Sequence, residues 1–184
     1  FEIYCSASDA PLIWDMLIKH GSSVGLVPCG LGARDVLRLE AGMMLHGHDI
    51  DDNTTPLEAG LSRFVKFDKE PKFIGYEALL AQSCGGIRKR LVGFKMPKGS
   101  IPRQSCQIFS ESGEVIGLVT SGTRSLTLDC NIGLGYINST DVLKEDTPIR
   151  IGIRDQKYDA IVVSPPFYKR RGPLTKVNTQ PDLL

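Results

Sequence analysis

Residues 32–60 crowd arginine, histidine, aspartate and glycine where a buried core element would carry aliphatics, and that density of charge marks a binding surface. Arg34, Asp35, Arg38 and Glu40 fall along one side of a helix predicted over 33–41, with Val36, Leu37 and Ala41 on the other. An arginine on such a helix is most simply a solvated face residue, and Asp35 and Arg38 are placed to fix the helix through local ion pairs. His46, His48 and Asp49, followed by Asp51 and Asp52, are ligand types suited to a divalent cation. Two histidines one residue apart share a metal only from a strand or an irregular loop, and no second histidine cluster exists in this chain. Near the start of the chain, Glu2 offers a carboxylate at the head of a predicted strand, a place where carboxylates are often merely solvated.

The elements that must position these groups follow from punctuation and periodicity. Gly42 ends the charged helix. Thr54-Thr55-Pro56 is a second start signal, with Thr55 as N-cap, Pro56 at the first helical position and Glu58 in the first turn. Upstream, residues 1–5 alternate as a strand does. A helix over 10–20 is capped by Ser8 or Asp9, carries Leu12, Ile13, Met16 and Leu17 as an inward stripe beside Trp14, and closes at Gly21. Further strands are expected at 24–27 and 61–67 and a helix at 74–81. Cys84-Gly85-Gly86 then reads as a hinge, dividing the chain into domains at 1–84 and 85–171 with a frayed tail at 172–184.

Beyond the hinge the pattern changes to short strands at 89–94, 106–110, 115–121, 132–136, 149–153 and 160–163. Ser112-Gly113 supplies a hairpin turn, one short helix is expected at 140–144, and Thr120-Ser121-Gly122-Thr123 is expected to be a strand end and turn. Six strands with almost no helix specify a small antiparallel barrel or sandwich.

Composition narrows the classes of function. With 41% hydrophobic and 23% charged residues the chain is globular, and a net charge of +1 without a basic stripe gives no footprint for nucleic acid. No apolar run is long enough to span a bilayer, so no membrane partner is expected. The first twenty residues carry Glu2, Asp9 and Asp15 in place of a basic leader, although the chain opens on Phe1 and has no initiator Met. Five cysteines, scattered and without a C-x-x-C pair, are expected to be reduced structural thiols in a reducing compartment.

Six segments taken in order carry a more specific signal. These are Glu2-Ile3-Tyr4, the stretch from Gly32 to Gly60, Phe73-Ile74-Gly75-Tyr76-Glu77-Ala78-Leu79, Arg90-Leu91-Val92-Gly93-Phe94, Val119-Thr120-Ser121-Gly122-Thr123 and Pro166-Phe167-Tyr168-Lys169-Arg170. Together they resemble the aminomethyltransferases, the T-proteins of the glycine cleavage system, over about residues 1–170 and within the C-terminal half of that family's chain. The resemblance implies an α+β fold: a truncated folate-binding α/β portion of ferredoxin-like type, then a small antiparallel β-barrel or jelly-roll-like domain.

It also implies roles. Glu2 matches the family glutamate that binds the pterin ring, Arg34 the arginine of the family's Ala-Arg-Asp motif that helps hold folate, and Arg170 is chosen to meet the anionic benzoyl-glutamate or polyglutamate end. No metal is implied. The reaction implied is transfer of the one-carbon unit of an aminomethyl group, carried on the lipoyl arm of the H-protein, to tetrahydrofolate, with release of ammonia and formation of 5,10-methylenetetrahydrofolate. The family's catalytic aspartate is expected upstream of the Glu2 strand, before Phe1, so these residues alone are expected to be inactive. The compartment would be cytoplasm in a bacterium and mitochondrial matrix in a eukaryote.

Two rivals share the module. The folate-binding C-terminal region of a dimethylglycine or sarcosine dehydrogenase would need an upstream flavin domain. A non-catalytic folate-binding relative in iron–sulfur protein assembly would carry a Cys and a Gln that Lys72-Phe73-Ile74-Gly75-Tyr76-Glu77 lacks.

Overall fold

A computed structural model describes residues 1–141 and 143–169; Arg170 and the predicted tail lie outside them. The chain divides into two compact units, Phe1–Asp35 and Val36–Leu184. Among the described residues there are three α-helices, α1 (Ala10–Gly21), α2 (Leu31–Glu40) and α3 (Tyr76–Gly85). There are six strands, β1 (Lys89–Met96), β2 (Gln107–Phe109), β3 (Val115–Ser125), β4 (Cys130–Asn138), β5 (Pro148–Ile153) and β6 (Gln156–Val163).

In the first unit α1 forms where periodicity places it, with Pro11 in the opening turn, but its expected cap and inward stripe are not realised. Asp9 takes the N-cap position without capping, because its carboxylate instead accepts a hydrogen bond from Ser6 Oγ at 2.6 Å. No α1 residue is buried, and Leu12 and Trp14 are 63% and 54% exposed. Residues 1–5 form no strand, since an alternating segment becomes one only by pairing its backbone with a neighbour. The strand expected at 24–27 is likewise absent; a 3-10 turn, Ser22–Val24, ends there at Gly25 with φ +79°.

The second unit is built on a closed antiparallel barrel in the order β1-β4-β3-β2-β5-β6, with β6 returning to β1. All six expected strands are present. Its interior is filled by Val92, Phe94 and Met96 of β1 together with Ile108, Ile116, Val119, Ile137, Ile149, Ile151 and Val162. Burial of each such side chain is worth about 1.5–3 kcal/mol relative to exposure. Strand β4 explains how one strand serves two cores. Gly133 and Gly135 face inward, where a Cβ at Gly133 would run into the Phe94 ring and one at Gly135 would lie 2.7 Å from Ile108 Cδ1. Ile132 and Leu134 point the other way, into a second cluster on the outside of the barrel with Leu39 and Phe167.

That outer cluster is roofed by the chain between α2 and Gly60. Helix α2 closes as Gly42 predicts, with φ +70°, Met43 N–H donating to Arg38 O and Gly42 N–H to Leu39 O. The start signal at Thr55 is honoured but not extended. Glu58 N–H donates to Thr55 Oγ1 at 3.3 Å and Thr55 N–H to Glu58 Oε2 at 3.1 Å, a reciprocal cap. Leu61 N–H already returns to Pro56 O at 2.8 Å and Gly60 has φ +73°, so stop follows start within one turn. Glu58 O accepts from Leu91 N–H at 3.0 Å, on the part of β1 that β6 does not reach.

Three further expectations need correction. Residues 61–67 hold a 3-10 turn, Ser62–Phe64, in place of a strand. Helix α3 begins at Tyr76, because Gly75 in the left-handed region (φ +87°) forms its boundary. The described residues of 140–144 form a turn and no helix.

Candidate functional site

The groups singled out in the sequence fall into two sets. Glu2 and Arg34 both belong to the Phe1–Asp35 unit, and both are exposed. Tyr4 Oη donates to Glu2 Oε2 at 2.9 Å, which leaves the other carboxylate oxygen open to solvent donors. Arg34 sits in the first turn of α2, where its N–H reaches Gly30 O at 3.3 Å and its side chain projects into solvent. No hydrogen bond or ion pair among the described residues joins Glu2 to Arg34. Arg170 lies outside the described residues.

The second set is a buried polar network that fastens the roof to the barrel. Arg38 Nη1 meets Asp49 Oδ2 at 2.6 Å, with the two side chains only 10% and 0% exposed. The same nitrogen donates to Met43 O at 3.2 Å, and Nη2 donates to Ser121 Oγ at 2.9 Å. Asp49 is filled from further sides by Leu45 N–H at 2.9 Å and Thr120 Oγ1 at 2.5 Å. A charge so enclosed is tolerated because both carboxylate oxygens find donors and one of these is a guanidinium. Arg38 is thus tied to a residue eleven positions on and to β3, contacts additional to any local pairing along its helix.

The stretch Thr120-Ser121-Gly122-Thr123 departs from the expected strand end and turn. It is no strand end but the middle of β3, with a register shift between Val119 and Ser121 in the pairing to β4. The bulge leaves Thr120 without a ladder partner and turns its hydroxyl to Asp49. Asp49 is therefore committed to structure, while His46 and His48 are exposed. No group of three or more His, Cys, Asp or Glu among the described residues is arranged to hold a metal.

Two neighbouring contacts extend the network. Ser125 Oγ donates to the buried Glu40 carboxylate at 2.5 Å, and Tyr168 N–H donates to Glu40 O at 2.9 Å. Lys89 Nζ lies 4.6 Å from the centroid of the Tyr136 ring and donates to Thr54 Oγ1 at 3.0 Å, which in turn donates to Asp51. The Thr54 hydroxyl, followed by the Asn53 N–H, holds the Asp51 carboxyl below its usual range. Burial, reinforced by the nearby carboxylates of Asp49, Glu58 and Asp51, pushes the Tyr136 phenol well above its ordinary value. Sequence inspection missed Thr120, Ser121, Lys89 and Tyr136 as parts of this network, because nothing local in a strand announces a bulge or names the loop that will cover it.

Comparison with known proteins gives these observations a frame. Residues 1–69 match the family model for the GCVT N-terminal domain, and residues 89–169 match that for the glycine cleavage T-protein C-terminal barrel domain. The chain is 46% identical over 170 residues to an aminomethyltransferase of Flavobacterium psychrophilum and 43% identical over 170 residues to that of Bacillus subtilis. Each alignment takes in 92% of this chain and 46% of the relative, so the chain spans about half the length of the curated relatives it matches. Among solved structures, the glycine cleavage system aminomethyltransferase T from Bartonella henselae superposes with a TM-score of 0.77 at 32% identity, over 89% of this chain and 45% of that one.

Proposed function

Because the chain belongs to the glycine cleavage T-protein (aminomethyltransferase) family, we propose that it supplies part of the folate site of such an enzyme. The reaction it serves moves the one-carbon unit of aminomethyl-lipoyl H-protein to tetrahydrofolate, with loss of ammonia. The support that carries this reading is the ordered pair of family matches, one over residues 1–69 and one over the barrel at 89–169. In this proposal residues 1–84 belong to the folate-binding domain and residues 85–171 form the barrel domain. The partners are tetrahydrofolate and the lipoyl-bearing H-protein.

Each proposed residue has a chemical task suited to its type. Glu2, acceptor-only when ionised, takes adjacent ring N–H and amino donors of the pterin. Arg34 presents a planar fork of donors to a carboxylate of the glutamate end, and Arg170 adds a second cation. Catalysis by such a site is orientation of the folate amine against an electrophilic carbon, together with electrostatic stabilisation. No residue from 1 to 184 is assigned the catalytic carboxylate.

Ligand dissection tests the assignment. Tetrahydropteroate lacks the glutamate of tetrahydrofolate, so Glu2→Gln should weaken binding of both ligands about tenfold, while Arg34→Gln should weaken only tetrahydrofolate. Equal affinities across the unmodified chain and both variants would remove Glu2 and Arg34 from the site.

A further inference from the structure

A cleft of about 550 Å3 opens within the second unit, beside the loop that follows α2. Met43 and Met44 of that loop line it, as do Leu91 and Leu134 of the barrel, Pro165 and Arg63. Arg63 alone among its lining residues is charged. The Arg63 guanidinium stacks 4.6 Å from the centroid of the Phe64 ring and makes no ion pair among the described residues. A guanidinium over an aromatic face keeps its in-plane N–H donors for a carboxylate.

Shape and rigidity agree with occupancy by a guest. Gly60, which also lines the cleft, has nothing within 4 Å of the place a Cβ would take. Met43 and Met44 offer unbranched, adaptable apolar surface. Their backbone is held in advance, because Arg38 grips Met43 O and Asp49 grips Leu45 N–H, so little ordering remains when a ligand enters. The volume is typical of small-molecule sites, which combine apolar walls with a few polar anchors. A cleft of similar size, about 560 Å3, lies beside Met96 and Pro148. There Lys95 and Arg150 are balanced by Glu111 and Asp159, and Arg150 and Asp159 pair at 3.3 Å, so it offers an anion no net attraction.

We propose that the Met43–Arg63 cleft binds a small carboxylate with an apolar body, its acid group on the Arg63 guanidinium and its hydrocarbon on Met43, Met44 and Leu134. The guest is an aliphatic acid. The site stands on its own geometry and does not depend on Glu2 or Arg34.

The four methionines make a direct test, since Met16 lies on α1, Met96 in the barrel, and Met43 and Met44 in the cleft. With methyl-13C-methionine chain, titration with octanoate should shift the Met43 and Met44 methyl resonances saturably and leave Met16 and Met96 in place. Octanol should bind about tenfold more weakly, and Arg63→Gln should erase that difference. Movement of Met16 or Met96 in place of Met43 and Met44 would overturn the proposal, as would equal affinity for octanol and octanoate. Unchanged octanoate affinity in a folded Arg63→Gln chain would overturn it too. The octanol comparison needs no variant and decides the matter on the unmodified protein.

Discussion

Arg38 and Asp49 hold three pieces of chain at one point: the end of α2, the loop after it and the β3 bulge. Removing one partner of such a pair leaves an uncompensated buried charge, so Arg38→Met should lower unfolding free energy by about 3–5 kcal/mol. Urea denaturation measures it, and the Arg38→Met, Asp49→Leu double variant should regain a large part of the loss. A loss under about 1 kcal/mol for the single variant would mean the network is slack. These two residues also show where legibility stops. Arg38 reads locally as a helix-face charge and Asp49 as one of a run of loop acids, yet besides each other they reach Ser121 and Thr120 some seventy to eighty residues away. Spacing along a chain cannot reveal a partner that the fold alone brings near.

At the scale of elements, the barrel strands were legible because each alternates and is bounded by turn residues, and all six formed. The direction in which β4 faces was not. Isoleucine and leucine alternate with glycine along it, and the natural inference puts the aliphatics in the barrel. The structure puts Gly133 and Gly135 there, since the Phe94 ring and Ile108 need the space. Gly133→Ala should therefore cost about 1–3 kcal/mol by overpacking, read as a fall in melting temperature. An unchanged melting temperature would show that Phe94 yields.

Tyr136, on the same strand, has a buried hydroxyl with no partner among the described residues. Tyr136→Phe should thus raise stability by about 1 kcal/mol. The pH dependence has a definite sign. The folded phenol titrates above its ordinary value of 10.0, so the unfolded chain loses this proton first as pH rises. Stability is whole below about pH 10 and falls above it, and Tyr136→Phe should flatten that fall. The strands that failed to appear, at 1–5, 24–27 and 61–67, all had strand-like composition; composition supplies no ladder partner.

For the molecule as a whole, the two units differ in kind. The Val36–Leu184 unit has two apolar clusters, and its barrel closes on itself, which removes exposed strand edges. In the Phe1–Asp35 unit no described residue is buried, and Tyr4, Trp14, Leu26 and Leu31 are exposed. The proposed folate contacts Glu2 and Arg34 both lie in that unit, on a chain that covers about half of its relatives' length. Their identities came from ordered motifs spread over the sequence and not from any pocket, which is why family membership was legible while the geometry around these two residues was not. If this chain contributes a folate site, equilibrium dialysis of the unmodified chain against tetrahydrofolate reads it out. Saturable binding of one ligand per chain, abolished in the Glu2→Gln, Arg34→Gln double variant, is the predicted result; no saturable binding, or binding that survives both substitutions, would contradict it.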